Sequence, residues 1–139
     1  MSVGENKATL RRVVEEVFNK GNLAAVPELI ATNYVYHSPF VELKGPEGLK
    51  QMVQVWRNAF PDGRFTIDDM VAEEDKVAVR YTWTGTHKGE YRGIAPTGKQ
   101  VTMTAAFFYK FENGKEVEAL PFSDSLSLYQ QLGVTPPTG

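Results

Sequence analysis

The chain of 139 residues is 42% hydrophobic and 23% charged, which is typical of one globular domain over residues 1–139. Its formal net charge of −2, with acids and bases mixed, argues against a basic surface for nucleic acid or an anionic membrane. The absence of cysteine excludes disulfides, thiolate catalysis and cysteine-based metal sites. No apolar run approaches the roughly 20 residues that span a bilayer, so we expect a cytoplasmic protein.

Helical spacing dominates the first half of the chain. Apolar residues recur every three to four positions over residues 5–20, which predicts an amphipathic helix. A second, short helix is expected over 23–30, followed by an extended stretch over 32–40. Gly-Pro at residues 45 and 46 opens a third helix that runs to residue 59, because proline is tolerated early in a helix. The turn formed by residues 60–63 ends this helical part.

The period changes to two after this turn, which indicates strands. We predict strands over residues 64–73, 76–84, 101–111 and 116–123, with tight hairpin turns joining the first pair and the last pair. A short helix over 125–132 follows them. Helices followed by a mostly antiparallel sheet are the pattern of an α+β fold.

Residues 85–99 form a glycine-rich segment between two of these strands. It holds four glycines and one proline, which excludes a long regular element. The composition favours a shaped connection between strands, with or without a bulge.

Chemistry in this chain is limited to a few residue types. There are two histidines, His37 and His87, and neither has metal-ligand spacing with other residues. The dinucleotide fingerprint, the phosphate loop and the serine nucleophile elbow are absent from the sequence. We therefore expect no metal and no cofactor, and acid–base chemistry by Asp, Glu, His or Tyr remains.

Asp124 is the carboxylate of greatest interest. By alternation it shares a face with Leu120 and Phe122, and partial desolvation there would raise its pKa and suit it to proton transfer. The competing interpretation is that Asp124 caps the helix that begins at Ser125. His37 is either a partner of Asp124 or a hydrogen-bonded structural histidine.

Other side chains allow two interpretations each. His87 is either a ligand contact or a residue that stabilises the glycine-rich segment. Arg80 either faces outward as a cross-strand partner or holds an anion. Several large residues are spaced like core residues and are also able to line a pocket, namely Trp56, Tyr81, Trp83, Met103 and Phe107.

An ordered set of short phrases resembles the SnoaL-like polyketide cyclases. The resemblance covers roughly residues 6–134, nearly the whole chain. In chain order they are Tyr34-Val35-Tyr36-His37, Phe60-Pro61-Asp62, Asp75-Lys76-Val77-Ala78-Val79-Arg80, Gly85-Thr86-His87, Pro96-Thr97-Gly98-Lys99, Gly114-Lys115, Asp124 and Gln130-Gln131-Leu132-Gly133.

The resemblance implies the cone-shaped α+β barrel of the nuclear-transport-factor-2-like superfamily. In that fold a curved, mostly antiparallel sheet has N-terminal helices over its concave face and a short C-terminal helix, and the glycine-rich segment would shape the mouth of the cone. The resemblance also implies a homodimer. It further implies an intramolecular aldol or isomerase-type reaction on a small apolar or aromatic carbonyl compound, without a cofactor. By position, Asp124 matches the family's acid/base. The expected site is completed by His37 and by Tyr36, Trp56, Tyr81, His87, Met103, Phe107 and Leu120.

Two positions depart from the family pattern. Leu120 stands where related cyclases usually carry tryptophan, and residues 104–108 lack the histidine expected on that strand. A non-catalytic module that binds a small ligand in the same pocket is therefore an alternative function. Epoxide hydrolysis is a further alternative, for which Arg80 and Asp124 would supply part of the required Asp–Arg–Asp set.

Overall fold

The predicted N-terminal helix consists of two segments with different winding. In the computed structural model, which describes residues 2–38 and 42–135, helix α1 spans Val3–Arg12 and continues as a π-helical segment, Val13–Asn19. The wider winding is marked by the hydrogen bond from Lys20 N to Glu15 O, 3.0 Å long. The side chain of Asn19, at the end of this segment, exchanges two hydrogen bonds with the backbone of Phe65, of 3.0 and 2.8 Å. The helical layer is thus tied to the sheet.

The remaining helices follow the predicted order. A 3₁₀ turn, Leu23–Ala25, leads into the short helix α2, Val26–Leu29, and the long helix α3 spans Gly45–Ala59. Helix α4 spans Ser125–Leu132 and ends at Gly133, which adopts the left-handed conformation with φ of 78°. Among the described residues, no helix is long and apolar enough to cross a membrane.

Six strands form one sheet in the order β2-β1-β6-β5-β4-β3. All neighbouring strands are antiparallel except β1 and β6, which run parallel. The strands are β1 (Ile30–His37), β2 (Glu42–Lys44), β3 (Arg64–Glu73), β4 (Lys76–Thr86), β5 (Gln100–Glu112) and β6 (Lys115–Ser123). The sequence did not predict β2, because three residues are too few to show an alternating pattern. Part of the predicted stretch over 32–40 lies outside the described residues.

The α+β fold class is confirmed, with helices on one face of a curved sheet. That face carries the main core, in which Leu10 and Val17 of the N-terminal helix pack with Val53 of α3 and Tyr81 of β4. The sheet itself does not close into a barrel, since its order starts at β2 and ends at β3. The fold is therefore an open cone.

The opposite, outer face of the sheet is partly apolar and partly charged. Phe108 and Phe122 lie there with 53% and 60% of their surface exposed. Arg80 is also exposed on this face, with its Nη1 atom 3.9 Å from Asp68 Oδ2. The outward interpretation of Arg80 therefore applies, and Arg80 cannot contribute to a set of residues on the concave face.

The glycine-rich segment is a shaped connection without a strand of its own. It contains one isolated bridge, in which Tyr91 and Ile94 exchange backbone hydrogen bonds of 3.0 and 2.8 Å. The backbone N–H groups of Lys88 and Gly89 both donate to Ala59 O at 3.0 Å, at the end of α3. The connection is thereby held against the end of this helix.

Candidate functional site

A cavity of about 500 Å³ opens between the inner face of the sheet, α3 and the glycine-rich segment. This size is within the usual range for small-molecule sites. Its lining combines aromatic, sulfur-containing and polar side chains. The lining residues are Tyr36, His37, Ser38, Met52, Trp56, Tyr91, Arg92, Met103, Leu120, Pro121, Phe122, Ser123 and Ser125. Phe122 borders the cavity although its ring lies beside that of Phe108 on the outer face.

One wall of the cavity is aromatic and held by mutual packing. The Trp56 ring lies 5.0 Å from the ring of Tyr91, 5.2 Å from Trp83 and 5.7 Å from Phe60, measured between centroids. Because β4, the glycine-rich segment and the turn after α3 each supply one of these rings, three parts of the chain surround the Trp56 ring. Such a wall suits the face of a planar apolar ligand.

His37 provides the polar group at the end of β1. Its Nδ1 atom lies 3.4 Å from Glu42 Oε1, and its Nε2 atom lies 4.0 Å from Glu118 Oε2. The imidazole therefore lies between two carboxylates, one on each neighbouring strand. Within the described chain, no three His, Asp or Glu side chains are arranged so that they could hold a metal ion.

Tyr36 contributes a neutral phenol to the cavity. Burial raises the pKa of Tyr36 strongly, and the positive charge of Arg92 opposes this effect only in part. The hydroxyl therefore stays protonated at physiological pH and is available as a hydrogen-bond donor.

Asp124 caps helix α4. Its Oδ1 atom accepts a hydrogen bond of 3.1 Å from Ser127 N, and the residue is exposed. The capping interpretation therefore applies in this structure. Ser123 and Ser125, on either side of Asp124, line the cavity, whereas Asp124 is not among the described residues that line it.

His37 and Asp124 are not brought together. Tyr36 pairs with Ala119 on the parallel strand β6, so His37 is level with Leu120. Four residues of extended chain, about 13 Å, separate that level from Asp124. In this structure His37 contacts Glu42 and Glu118, and Asp124 accepts from Ser127 N, so the structure does not place the two side chains as a pair.

The other expected site residues divide into two groups. Tyr36, Trp56, Met103 and Leu120 line the cavity together with His37. Tyr81 and Phe107 are core residues, and the hydroxyls of Tyr81 and Tyr109 lie 2.6 Å apart in that core.

His87 is fully buried in the glycine-rich segment. Its Nδ1 atom accepts a hydrogen bond of 3.2 Å from Thr97 N and lies 3.0 Å from Thr97 Oγ1. These contacts hold the two ends of the connection together, so His87 has a stabilising role.

Sequence reasoning missed two charged residues near the site, Arg92 and Glu116. The glycine-rich composition around Arg92 predicted an irregular connection, but not which side chains turn toward the cavity. Glu116 is 2% exposed, its Oε2 atom has no hydrogen-bond partner, and burial raises its pKa to about 8. A bulge in β6 breaks the alternation of faces between Glu116 and Glu118, because Lys110 pairs with Glu118 while Phe111 pairs with Glu116.

Comparison with known families agrees with this architecture. The sequence profile of the SnoaL-like polyketide cyclases matches residues 8–132. The chain belongs to this family. Among its relatives, aklanonic acid methyl ester cyclase AcmA of Streptomyces galilaeus is 30% identical over 135 residues, covering 94% of this chain and 92% of the relative. The corresponding cyclase DnrD of Streptomyces peucetius is 29% identical over 136 residues, covering 93% and 91%.

Solved structures of family members share the open cone. AclR of Streptomyces galilaeus, a proposed hydroxylase, superposes with a TM-score of 0.85 at 30% identity, covering 97% of this chain and all of AclR. IdmH of Streptomyces antibioticus, a proposed polyketide cyclase, superposes with a TM-score of 0.80 at 32% identity, covering 93% of this chain and 99% of IdmH. The expected SnoaL-like and nuclear-transport-factor-2-like assignment is confirmed.

Proposed function

We propose that the protein binds a small aromatic or polyketide-like carbonyl compound and closes a ring in it by an intramolecular aldol reaction. A base removes a proton from the carbon next to one carbonyl, and the enolate carbon then forms a bond to a second carbonyl carbon of the same molecule. The alkoxide produced takes up a proton, so substrate and product are isomers.

The observation that carries this proposal is the character of the cavity. Its volume of about 500 Å³ accommodates several fused rings, and Trp56 and Tyr91 offer flat apolar faces. Tyr36, His37 and Ser123 place polar groups on the same lining, where they can orient carbonyl oxygens. The family assignment supports a ring-closing reaction over other uses of such a cavity.

We propose Asp124 as the proton carrier and His37 or Tyr36 as the donor to the enolate oxygen. Asp124 caps α4 in the structure, but its exposed side chain lies between two residues that line the cavity. Turning the carboxylate toward the cavity removes one capping hydrogen bond, at a cost of about 1 kcal/mol. A bound substrate that offers its acidic C–H group would offset this cost.

The test uses aklanonic acid methyl ester, the compound named for the relatives, with ring closure followed by chromatography and mass spectrometry as a new peak of unchanged mass. Asp124→Asn keeps a good helix cap while removing the base, so we expect a rate at least about 100-fold lower with unchanged stability. His37→Gln should lower the rate while leaving the cap intact. Wild-type turnover by Asp124→Asn would show that Asp124 is not the proton carrier.

A second candidate function is ligand binding without turnover. It is favoured by the capping role of Asp124 and by the absence of Asp and Glu from the described residues that line the cavity. Native mass spectrometry of the purified protein tests this alternative. A ligand that co-purifies and is recovered unmodified after long incubation would favour binding over catalysis.

The homodimer remains a prediction, as does the cytoplasmic location. We propose that two copies pair through the outer face of the sheet, where the rings of Phe108 and Phe122 lie 6.0 Å apart and Val71 is 61% exposed. A twofold axis would place this patch against its own copy. Light scattering should give twice the chain mass, and Phe108→Glu should give the monomer mass.

A further inference from the structure

The fixed charge on the cavity lining is positive. Among the described residues that line it, Arg92 is always ionised, and none is Lys, Asp or Glu. Arg92 is an exposed residue of the glycine-rich segment, with its backbone in the left-handed region at φ of 47°. An arginine at this position adds a permanent cation to a lining of aromatic, apolar and polar side chains.

The guanidinium of Arg92 is held by the aromatic wall. Its central carbon lies 5.3 Å from the centroid of the Tyr91 ring, which is a cation–π distance. Tyr91 in turn packs on Trp56 at 5.0 Å. A ligand that stacks on this wall would therefore have its edge near the guanidinium.

Arg92 and Tyr36 both line this cavity. Burial raises the pKa of the Tyr36 phenol, and the charge of Arg92 is the largest effect that opposes it. The two residues come from different elements, β1 and the glycine-rich segment. Together they offer a cation and a neutral O–H donor, which is the combination that binds an anionic oxygen.

We propose that Arg92 and the Tyr36 hydroxyl form a subsite for an anionic oxygen, a carboxylate or an ionised phenol, on a ligand whose aromatic body lies against Trp56. This assignment rests on the proposed function, because it takes the cavity to be the ligand site. It goes further by naming the ligand class: acidic aromatic compounds are preferred over their esters and ethers.

Fluorescence titration with two matched probe pairs tests the subsite. Anthracene-2-carboxylate is compared with its methyl ester, and 4-nitro-1-naphthol, which is ionised at neutral pH, with its methyl ether. Arg92→Gln should weaken binding of at least one ionised probe by about tenfold or more and change the neutral probes less than about twofold. Arg92→Lys should recover part of the loss, and Tyr36→Phe should weaken the same ionised probe. Arg80→Gln, on the outer face, is the control for loss of a positive charge.

The outcomes separate this subsite from the proposed reaction. If Arg92→Gln weakens binding of only one of the two ionised probes, the subsite is supported. The probe that is affected then shows whether the subsite takes a carboxylate or an ionised phenol. Equal weakening of ionised and neutral probes, no weakening, or failure of every probe to bind the wild type would overturn it. Anion preference that depends on Arg92, in a protein that closes no ring in aklanonic acid methyl ester, would contradict the cyclase reaction and leave the subsite intact.

Discussion

Replacing Glu116 with glutamine tests the charge state of a fully buried carboxyl group. Glu116 is 2% exposed, and its Oε2 atom lacks a hydrogen-bond partner. Burial raises its pKa from 4.5 to about 8, so the folded protein carries the neutral acid at pH 7 while the unfolded chain carries the carboxylate. Folding of the wild type at pH 7 therefore requires Glu116 to take up a proton. A variant with glutamine at this position folds without that step.

The size of the effect follows from the two pKa values. Each pH unit between them costs the wild type about 1.4 kcal/mol of folding free energy, because only the unfolded chain releases the proton. At pH 7 the total cost is about 3 kcal/mol. Wild-type stability carries none of this cost below pH 4.5, where the unfolded chain is also protonated. Stability is lost as the pH rises from 4.5 toward about 8, where Glu116 of the folded protein ionises too.

Urea unfolding at several pH values measures this dependence. We expect the stability of Glu116→Gln relative to the wild type to increase by about 3 kcal/mol between pH 5 and pH 8. A stability difference that is the same at all pH values would reflect only how the amide packs. The test is therefore how this difference between Glu116→Gln and the wild type changes with pH. Glu112→Gln, at the exposed end of β5, controls for removal of a carboxylate as such. If the free energy of unfolding changes with pH in the same way for the wild type and for Glu116→Gln, Glu116 is not a neutral acid in the folded protein.

Three further substitutions test the structure by urea or thermal unfolding. Gly89→Ala should cost about 2 kcal/mol, because the new methyl group would collide with the carbonyl of Asn58, and unchanged stability would contradict this close approach. Asp124→Ala should lose about 1 kcal/mol of capping energy while Asp124→Asn loses almost none, and equal losses would mean that the cap is unimportant. Tyr81→Phe should cost about 1–2 kcal/mol, since it leaves the buried Tyr109 hydroxyl without its 2.6 Å partner, and a neutral effect would indicate another partner.

Local patterns predicted the elements that have strong boundary signals. Helix α3 occupies Gly45–Ala59, strand β3 occupies Arg64–Glu73 and helix α4 occupies Ser125–Leu132, all as expected. Each has a clear start or stop in glycine, proline or a capping aspartate. The parallel pairing of β1 with β6 left no local signal, because it depends on contacts between distant parts of the chain.

The site was predictable only in part for the same reason. Trp56 and Met103 were recognised as possible lining residues, because large apolar side chains on an inner face line either a core or a pocket. The sequence left two interpretations of Asp124 open, and the hydrogen bond to Ser127 supports the capping role. The sequence did not single out Glu116, because its burial accompanies a bulge in β6 that leaves no local signal.

The parallel pairing of β1 with β6 also determines when the binding site can form. Tyr36, on the cavity wall, lies beside Ala119 although more than 80 residues separate them in the sequence. Strand β6 joins β1 to β5, so it connects the two halves of the sheet. Pairing over such a distance must overcome a large loss of chain entropy before any contact energy is gained, which slows folding. A nascent chain that has emerged only as far as residue 114 carries the aromatic wall but lacks the strand that encloses it, so the cavity is complete only when β6 has been released.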